Sequence, residues 1–467
     1  MKRWLCMLLC VLLLIAASAL SVQAAGDFTV ENGVLIRYSG TAKNVTVPDD
    51  VQIIGESAFE GCDIQSVTLS SAVAVIEDRA FCDCTALSAV NGGVNVSRVG
   101  AFAFRNTPYL ISSTEKYLTL GKVLVWYNGT SSSAVIPPSC EAVAPYAFMR
   151  SAELKSVRSD GSLIEIGTGA FYGCSGLSSV VLPSSVSEVG AYAFDGTPYL
   201  SSLGAFATVG DGVLVKYQGY DTNVTIPGSV RRIASAAFMT QSKITSVTIP
   251  RGVYSIDPYA FADCVGLREV KLPEGLVNIG DGAFRGCKSL GEVLTPSTLR
   301  YLGQHAFDGD EALEGAHLSG NGLTVSYDAF KGCGLRYVLM NRGVGTLHSG
   351  AFSGCTQLRG VSISSDTSLI DADSLVGCKN AAVACADSSA AASVLSSNRN
   401  GAVKGDVDSD GYMSVMDVTL IQRYLSQMIP LNGLQMSCAD IDYDADIAVT
   451  DVTVMQKVLV DIMPMPV

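Results

Sequence analysis

The sequence predicts an α/β repeat solenoid of 22–23-residue units with inserted β-hairpins, followed by a small all-α module of paired loop-helix units. Three observations carry this. A phenylalanine recurs at a nearly fixed interval along most of the chain. A cysteine follows many of those phenylalanines at a fixed offset. Near the C-terminus, aspartates occupy two matching sets of positions, each followed by a helix-period apolar stripe.

The recurring residue is Phe59, Phe81, Phe104, Phe148, Phe171, Phe194, Phe238, Phe261, Phe284, Phe307, Phe330 and Phe352, with Leu375 in the next place. The steps are 22 or 23 residues except for two of 44, and a fixed period of this size marks a repeat architecture. A representative unit reads Leu177-Ser-Ser-Val-Val-Leu-Pro183, then Val186-Ser-Glu-Val-Gly-Ala-Tyr-Ala-Phe194. Its first half alternates apolar and small polar residues and stops at Pro, as a short strand does. Its second half is a turn whose Val, Val, Ala and Phe point one way. One such unit cannot bury its apolar side; stacked units can, around a continuous spine. Each buried Phe then contributes about 2–3 kcal/mol of transfer free energy.

Three residues after the repeat position stand Cys62, Cys84, Cys174, Cys264, Cys287, Cys333, Cys355 and Cys378. Coils stacked about 4.8 Å apart bring neighbouring cysteines within the Cα range of a disulfide. Side chains at equivalent positions point in parallel, however, so these are read as buried free thiols acting as small hydrophobes. Cys82, Cys140, Cys385 and Cys438 lie off this ladder and are not paired by the sequence.

The two 44-residue steps contain Gly121-Lys-Val-Leu-Val-Trp-Tyr-Asn-Gly129 and Gly210-Asp-Gly-Val-Leu-Val-Lys-Tyr-Gln-Gly219. Asn32-Gly-Val-Leu-Ile-Arg-Tyr-Ser-Gly40 matches them, and Leu35, Leu124 and Leu214 each precede a repeat Phe by 24 residues. A larger unit, one hairpin with three short repeats, therefore occurs twice and begins a third time. Trp126 aligns with Arg37 and Lys216, a solvent-facing place. Beside Tyr127 it is either a stacking surface for a sugar ring or partner, or an ordinary exposed aromatic.

The Leu-x-x-Val-x-Leu-Pro, Val-x-x-Ile-Gly and Ala-Phe-x-Gly-Cys elements resemble the BspA-type leucine-rich repeat family of bacterial surface and secreted proteins, over about residues 28 to 403. The resemblance implies a curved solenoid that binds proteins, host surfaces or glycans. Residues 26–380 form the expected solenoid. Residues 381–403 are read as its C-terminal cap, with a strand at Ala381–Cys385 and a helix from Ser388 or Ser389 through Leu395; an Ala/Ser-rich linker is the other reading.

Residues 1–25 have the layout of a secretory signal: basic Lys2 and Arg3, an apolar run from Leu5 to Leu20, and small residues around Val22-Gln23-Ala24. The expected mature chain is exported and has no membrane span. A net charge of −13 argues against nucleic acid as a partner.

Residues 404–467 hold ten Asp and no Glu against three basic residues. In the first run, Asp406, Asp408, Asp410, Ser414 and Asp417 take positions 1, 3, 5, 9 and 12 of a loop, with Gly411 at position 6 and the Tyr412 carbonyl at 7. This is the oxygen-ligand grammar of an EF-hand-like calcium loop. It returns as Asp440, Asp442, Asp444, Asp446 and Asp451. There Ala445 replaces the glycine at a cost of about 1 kcal/mol if φ is positive, and Ala448 removes a side chain that could hold a bridging water. Two Ca2+ sites are expected, the second weaker. Val418, Ile421, Leu425 and Met428 make one apolar stripe; Val452, Met455, Leu459 and Ile462 make the other.

Two loop-helix units with Asp at position 12, and the run Asp417-Val-Thr-Leu-Ile-Gln-Arg-Tyr-Leu425, resemble a type I dockerin. That resemblance implies a cohesin domain of a cellulosome-type scaffold as partner, in the setting of polysaccharide degradation. By position the cohesin-facing residues are Val415, Met416, Gln422 and Arg423, or symmetrically Val449, Thr450, Gln456 and Lys457.

No catalytic signature stands out. His305, His317 and His348 fall in different repeats without metal spacing, and neither a nucleophile elbow nor a phosphate-cradling loop occurs. The expected function is a non-catalytic secreted binding subunit. The rival readings are a calcium-stabilised surface adhesin without a cohesin partner and, third, a glycoside hydrolase-associated enzyme subunit.

Overall fold

The computed structural model describes residues 23–340, 343–364, 367–379, 381–384 and, beyond these, 405, 407, 413, 415–431, 433–441 and 446–460. The predicted signal lies outside them except for Gln23–Ala25, and so does the helix expected from Ser388 or Ser389 to Leu395. Two compact units are present: Met1–Leu203 with Val209–Asp211, and Gly204–Thr208 with Gly212–Val467.

In the first unit, Val34–Tyr38 closes an antiparallel hairpin with Phe28–Glu31 and then leads a parallel ladder of Ile53–Ile54, Val75–Ile76 and Arg98–Val99. A second ladder joins Asn44–Thr46, Ser66–Leu69 and Ala89–Gly92. The same arrangement follows the hairpin Tyr117–Leu120 with Val123–Tyr127. In the second unit one ladder runs in parallel from Val213–Tyr217 to Leu369–Ile370, and another from Glu292–Leu294 to Ala382–Ala384. Each coil thus contributes to two sheets. Its longer strand buries the middle residue and exposes its neighbours, as at Asn44–Thr46 and Glu269–Lys271.

The α/β expectation for the repeats is corrected: the array is a β-solenoid. Between residues 23 and 384 the described helices are α1 (Pro108–Ile111) and α2 (Pro198–Ser202). The cause is a pair of left-handed residues around each spine Phe. Two places before it, Ser57, Arg79, Tyr146, Tyr259 and His305 all have φ between 54° and 62°; two places after it, Asp83, Arg150 and Gly173 lie between 59° and 70°. Left-handed residues so closely spaced turn the chain and cannot propagate a helix.

The spine is a column of parallel rings. Phe59 and Phe81 lie 4.8 Å apart by centroid, Phe238 and Phe261 4.6 Å, and Phe330 and Phe352 5.3 Å. Each hairpin supplies the first ring: Tyr38 is 5.1 Å from Phe59, Tyr127 4.7 Å from Phe148 and Tyr217 5.0 Å from Phe238. The column from Tyr38 is terminated by Tyr109 of α1, 5.0 Å from Phe104, and that from Tyr127 by Tyr199 of α2, 5.4 Å from Phe194. The identical runs Thr107-Pro-Tyr-Leu110 and Thr197-Pro-Tyr-Leu200 build these helices. Each Thr accepts a hydrogen bond from the Leu amide, which caps the helix, and donates to the Phe carbonyl at 2.6 Å.

Cysteine does the same carbonyl work elsewhere. The thiols of Cys84, Cys174, Cys264 and Cys333 donate to the carbonyls of Phe59, Phe148, Phe238 and Phe307 at 2.9, 2.9, 3.1 and 2.9 Å. The ladder cysteines form no disulfide with one another, as their parallel directions predict. Burial pushes the Cys84 and Cys264 thiols up to about 12 and Cys174 to about 11, which leaves them protonated and unreactive. After Phe307 the ladder position is Asp310. Its carboxyl is fully buried and accepts from the Cys287 amide at 2.7 Å, while its second oxygen has no partner among the described residues. Burial raises its pKa well above the carboxylate range.

Two outcomes follow from this core. Phe261→Ala removes an aromatic with neighbours on both sides and should cost about 3–5 kcal/mol; an unchanged thermal unfolding curve would contradict the stacked column. Asp310, with its folded pKa raised, binds its proton more tightly folded than unfolded. Its contribution is therefore fully present below the unfolded carboxylate pKa and is lost as pH rises through the folded value. Asp310→Asn should raise the unfolding temperature at pH 7 and raise it less at pH 4, and an equal gain at both would refute the burial argument.

Candidate functional site

The described C-terminal residues form three helices, α3 (Val415–Leu425), α4 (Gly433–Ala439) and α5 (Val449–Leu459). Val418 and Ile421 of α3 and Val452 and Met455 of α5 are buried in one apolar cluster, as their spacing predicts. Met428 is 70% exposed, because α3 ends at Leu425 and Gln427 turns the chain with φ of 56°. Ile462 lies outside the described residues.

Of the predicted cation ligands, Asp406, Asp408, Asp410, Tyr412, Ser414, Asp442 and Asp444 lie outside the described residues, and Asp417, Asp440, Asp446 and Asp451 within them. Asp417 and Asp451 are equivalent in detail. Both are fully buried in the first turn of their helix. The Asp417 Oδ1 accepts from the Val407 amide at 2.6 Å, and the Asp451 Oδ1 from the Ile441 amide at 2.6 Å, ten residues back in each case. Asp451 also accepts from the Ala448 amide at 2.8 Å. Asp440 is fully buried and takes a hydrogen bond from Ser362 Oγ at 3.1 Å, while Asp446 is exposed. Buried carboxylates need hydrogen bonds or a cation to offset their desolvation, and an all-oxygen donor set suits a hard cation.

The residues expected to face a partner lie on the outside of α3 and α5. Val415 and Val449 are each 70% exposed and Met416 63%. Gln422, Arg423, Thr450, Gln456 and Lys457 are exposed as well.

Sequence reasoning missed α4. It packs against the strands Tyr337–Met340, Gly360–Ser362 and Ala382–Ala384, and Leu339 joins the cluster that buries Met436, Cys438 and Ala439. Seven residues are too few to establish an apolar period, and its buried face is made for a neighbour remote in sequence.

The reading of Tyr127 on the second hairpin is corrected. Tyr127 is buried in the spine, so it offers no ring to a ligand, and Trp126 is half-buried with its indole N–H donating to Asn128 Oδ1 at 3.0 Å. A shallow depression of about 450 Å³ lies instead beside the third hairpin, lined by Lys216, Gln218, Tyr220, Asp221, Gln241 and Lys243 among others. The three histidines pair separately with Asp308, Glu292 and Asp371. Glu60, Cys82 and Asp83 come together, but Glu60 is engaged by Arg79 and burial raises the Cys82 thiol. Among the described residues no helix is long and apolar enough to cross a membrane.

Stacked 22–23-residue coils around an aromatic spine define a repeat β-solenoid, the class of leucine-rich-repeat proteins. The model of the BspA type leucine rich repeat region matches residues 37–118, 124–210, 216–336 and 292–390 in six copies, and the chain belongs to that family. Among solved structures it is similar to the pneumococcal vaccine antigen PcpA, with 21% identity over 80% of this chain and 93% of that one and a TM-score of 0.36. It is also similar to a leucine-rich cell surface protein of Faecalibacterium prausnitzii (21% identity, 82% and 98% covered, TM-score 0.32) and a leucine-rich repeat protein of Eubacterium ventriosum (19%, 77% and 94%, 0.37). No curated protein matches the chain. Family membership rests on the repeat match, and the superpositions add no weight.

The spine role of Tyr127 separates from a binding role by substitution. Its hydroxyl is buried without a partner among the described residues, so Tyr127→Phe should leave the unfolding temperature equal or higher. Tyr127→Ala should lower it by several degrees. Parent-like unfolding of Tyr127→Ala would contradict the spine assignment.

Proposed function

We propose that this is a secreted, non-catalytic binding subunit. Its solenoid carries a target surface, and its C-terminal helices form a calcium-dependent dockerin that docks to a cohesin of a cellulosome-type scaffold. The observation that carries the reading is the duplicate geometry of Asp417 and Asp451. Two buried carboxylates, each ten residues after the amide it binds and in the first turn of its helix, stand where a repeated cation loop has its position-12 ligand. Asp406, Asp408, Asp410, Tyr412, Ser414 and Asp417 would hold one Ca2+; Asp440, Asp442, Asp444, Asp446 and Asp451 would hold the other. The cation offsets the mutual repulsion of the carboxylates and so favours the folded loops.

The exposed Val415, Met416 and Val449 support a partner on this face. Apolar side chains held in water at the starts of two equivalent helices gain from being covered. Arg423 and Lys457, near the other ends, supply a polar rim. The solenoid supports a binding role through its family, whose stacked coils present an extended surface.

Calorimetric titration of the full chain with calcium tests this reading. Two binding events are expected, the first abolished by Asp410→Ala and the second reduced less by Asp444→Ala. Cohesin binding should be lost in chelator and reduced by Met416→Asp combined with Val449→Asp. Calcium binding without capture of any cohesin would favour the adhesin; absence of calcium binding would overturn the dockerin.

A further inference from the structure

The long strands of the coils normally present every other residue to solvent. Glu292–Leu294 does so: Val293 is buried, its neighbours are exposed, and Leu294 is 58% exposed. Parallel pairing carries this outward position through Leu294, His317, Leu339, Ser362 and Ala384. Exposure falls along that line to zero at Leu339 and Ser362 and 1% at Ala384. The neighbouring outward line ends in Gly360 and Ala382, which are also buried.

Size changes together with burial. Where the earlier strand Glu269–Lys271 shows water a Glu and a Lys, the terminal strands offer Gly360, Ser362, Ala382 and Ala384. Small residues on a sheet face let another backbone approach closely. The helix that approaches is α4, which contributes Met436, Cys438 and Ala439 around Leu339.

We propose that the outward face of Tyr337–Met340, Gly360–Ser362 and Ala382–Ala384 is a docking site built for α4, and that docking is linked to cation binding through Asp440. The occupant is fixed by the chain itself. Two observations converge on it: the switch to small outward residues under α4, and the buried hydrogen bond from Ser362 Oγ to Asp440 Oδ2 at 3.1 Å. Asp440 is position 1 of the second cation loop, so the linkage rests on the calcium reading above. Ser362 orients that carboxylate only when α4 is seated, and a ligand favouring one arrangement must be favoured by it in return. The solenoid therefore contributes a positioning residue to the second cation site.

The test uses the full chain with Leu339→Asp and Ser362→Ala. Hydrogen exchange in calcium should show α4 amides protected in the parent and exchanging about tenfold faster in Leu339→Asp, with α3 unchanged. Calorimetry should show one of two calcium affinities reduced about tenfold in Leu339→Asp, and by a smaller factor in Ser362→Ala, while the other is kept. Unchanged α4 exchange in Leu339→Asp would overturn the docking. Unchanged affinities in a parent that binds two calcium ions would overturn the linkage alone. A parent that binds no calcium would overturn the calcium reading and the linkage, leaving docking to be judged by α4 exchange.

Discussion

Aromatic rings in successive coils lie 4.6 to 5.3 Å apart, close to the spacing at which adjacent parallel strands hydrogen-bond. Ring stacking and backbone pairing therefore favour the same rise, and neither has to yield to the other. Each coil is brought into register by its Phe, and both ladders of parallel strands inherit that register. Leu375 closes the series without a ring, in the coil next to the last strand, Ala382–Ala384.

The backbone around each ring must turn sharply, and it does so through two left-handed residues. Glycine meets the requirement at Gly169 and Gly173, where φ is 58° and 70°, and at Gly169 an added Cβ would lie 2.5 Å from Tyr146 Cε1. Elsewhere Arg79, Tyr259 and His305 accept the strain, about 1 kcal/mol apiece on general grounds. The neighbouring carbonyls receive a donor from Cys or Thr, both small enough to fit between coils. At the same offset Gln241 donates to the Tyr217 carbonyl instead, and Asp310 trades a thiol for a carboxyl that burial keeps from ionising readily.

Much of this was legible in the residues. The period, the spine, the hairpins and the buried thiols follow from spacing and from the need of stacked units to share a core. The second sheet did not show, because two-residue strands such as Glu165–Ile166 carry no alternation to read. Tyr127 was misread because Trp126 beside it aligned with charged residues, and a strand puts adjacent side chains on opposite faces. The Thr-Pro-Tyr-Leu runs were readable as a repeated motif, since they are identical in two places. In the C-terminal part the stripes of α3 and α5 were legible, whereas the docking of α4 depends on Leu339 and Ser362, far away in sequence, and no local pattern encodes such a contact.

The hairpins and the Thr-Pro-Tyr-Leu helices have a consequence for how such a chain changes length. Tyr38 starts an aromatic column and Tyr109 ends it; Tyr127 starts the next and Tyr199 ends it. Each hairpin-to-helix cassette is thus self-terminated, with its own first and last ring. Duplication or loss of a whole cassette by recombination leaves every remaining ring with a partner, and loss of one 23-residue coil returns the chain to the same face. Loss of half a coil would exchange inside for outside in everything downstream. Variation in length within this architecture is accordingly quantised, in steps of one coil or one cassette.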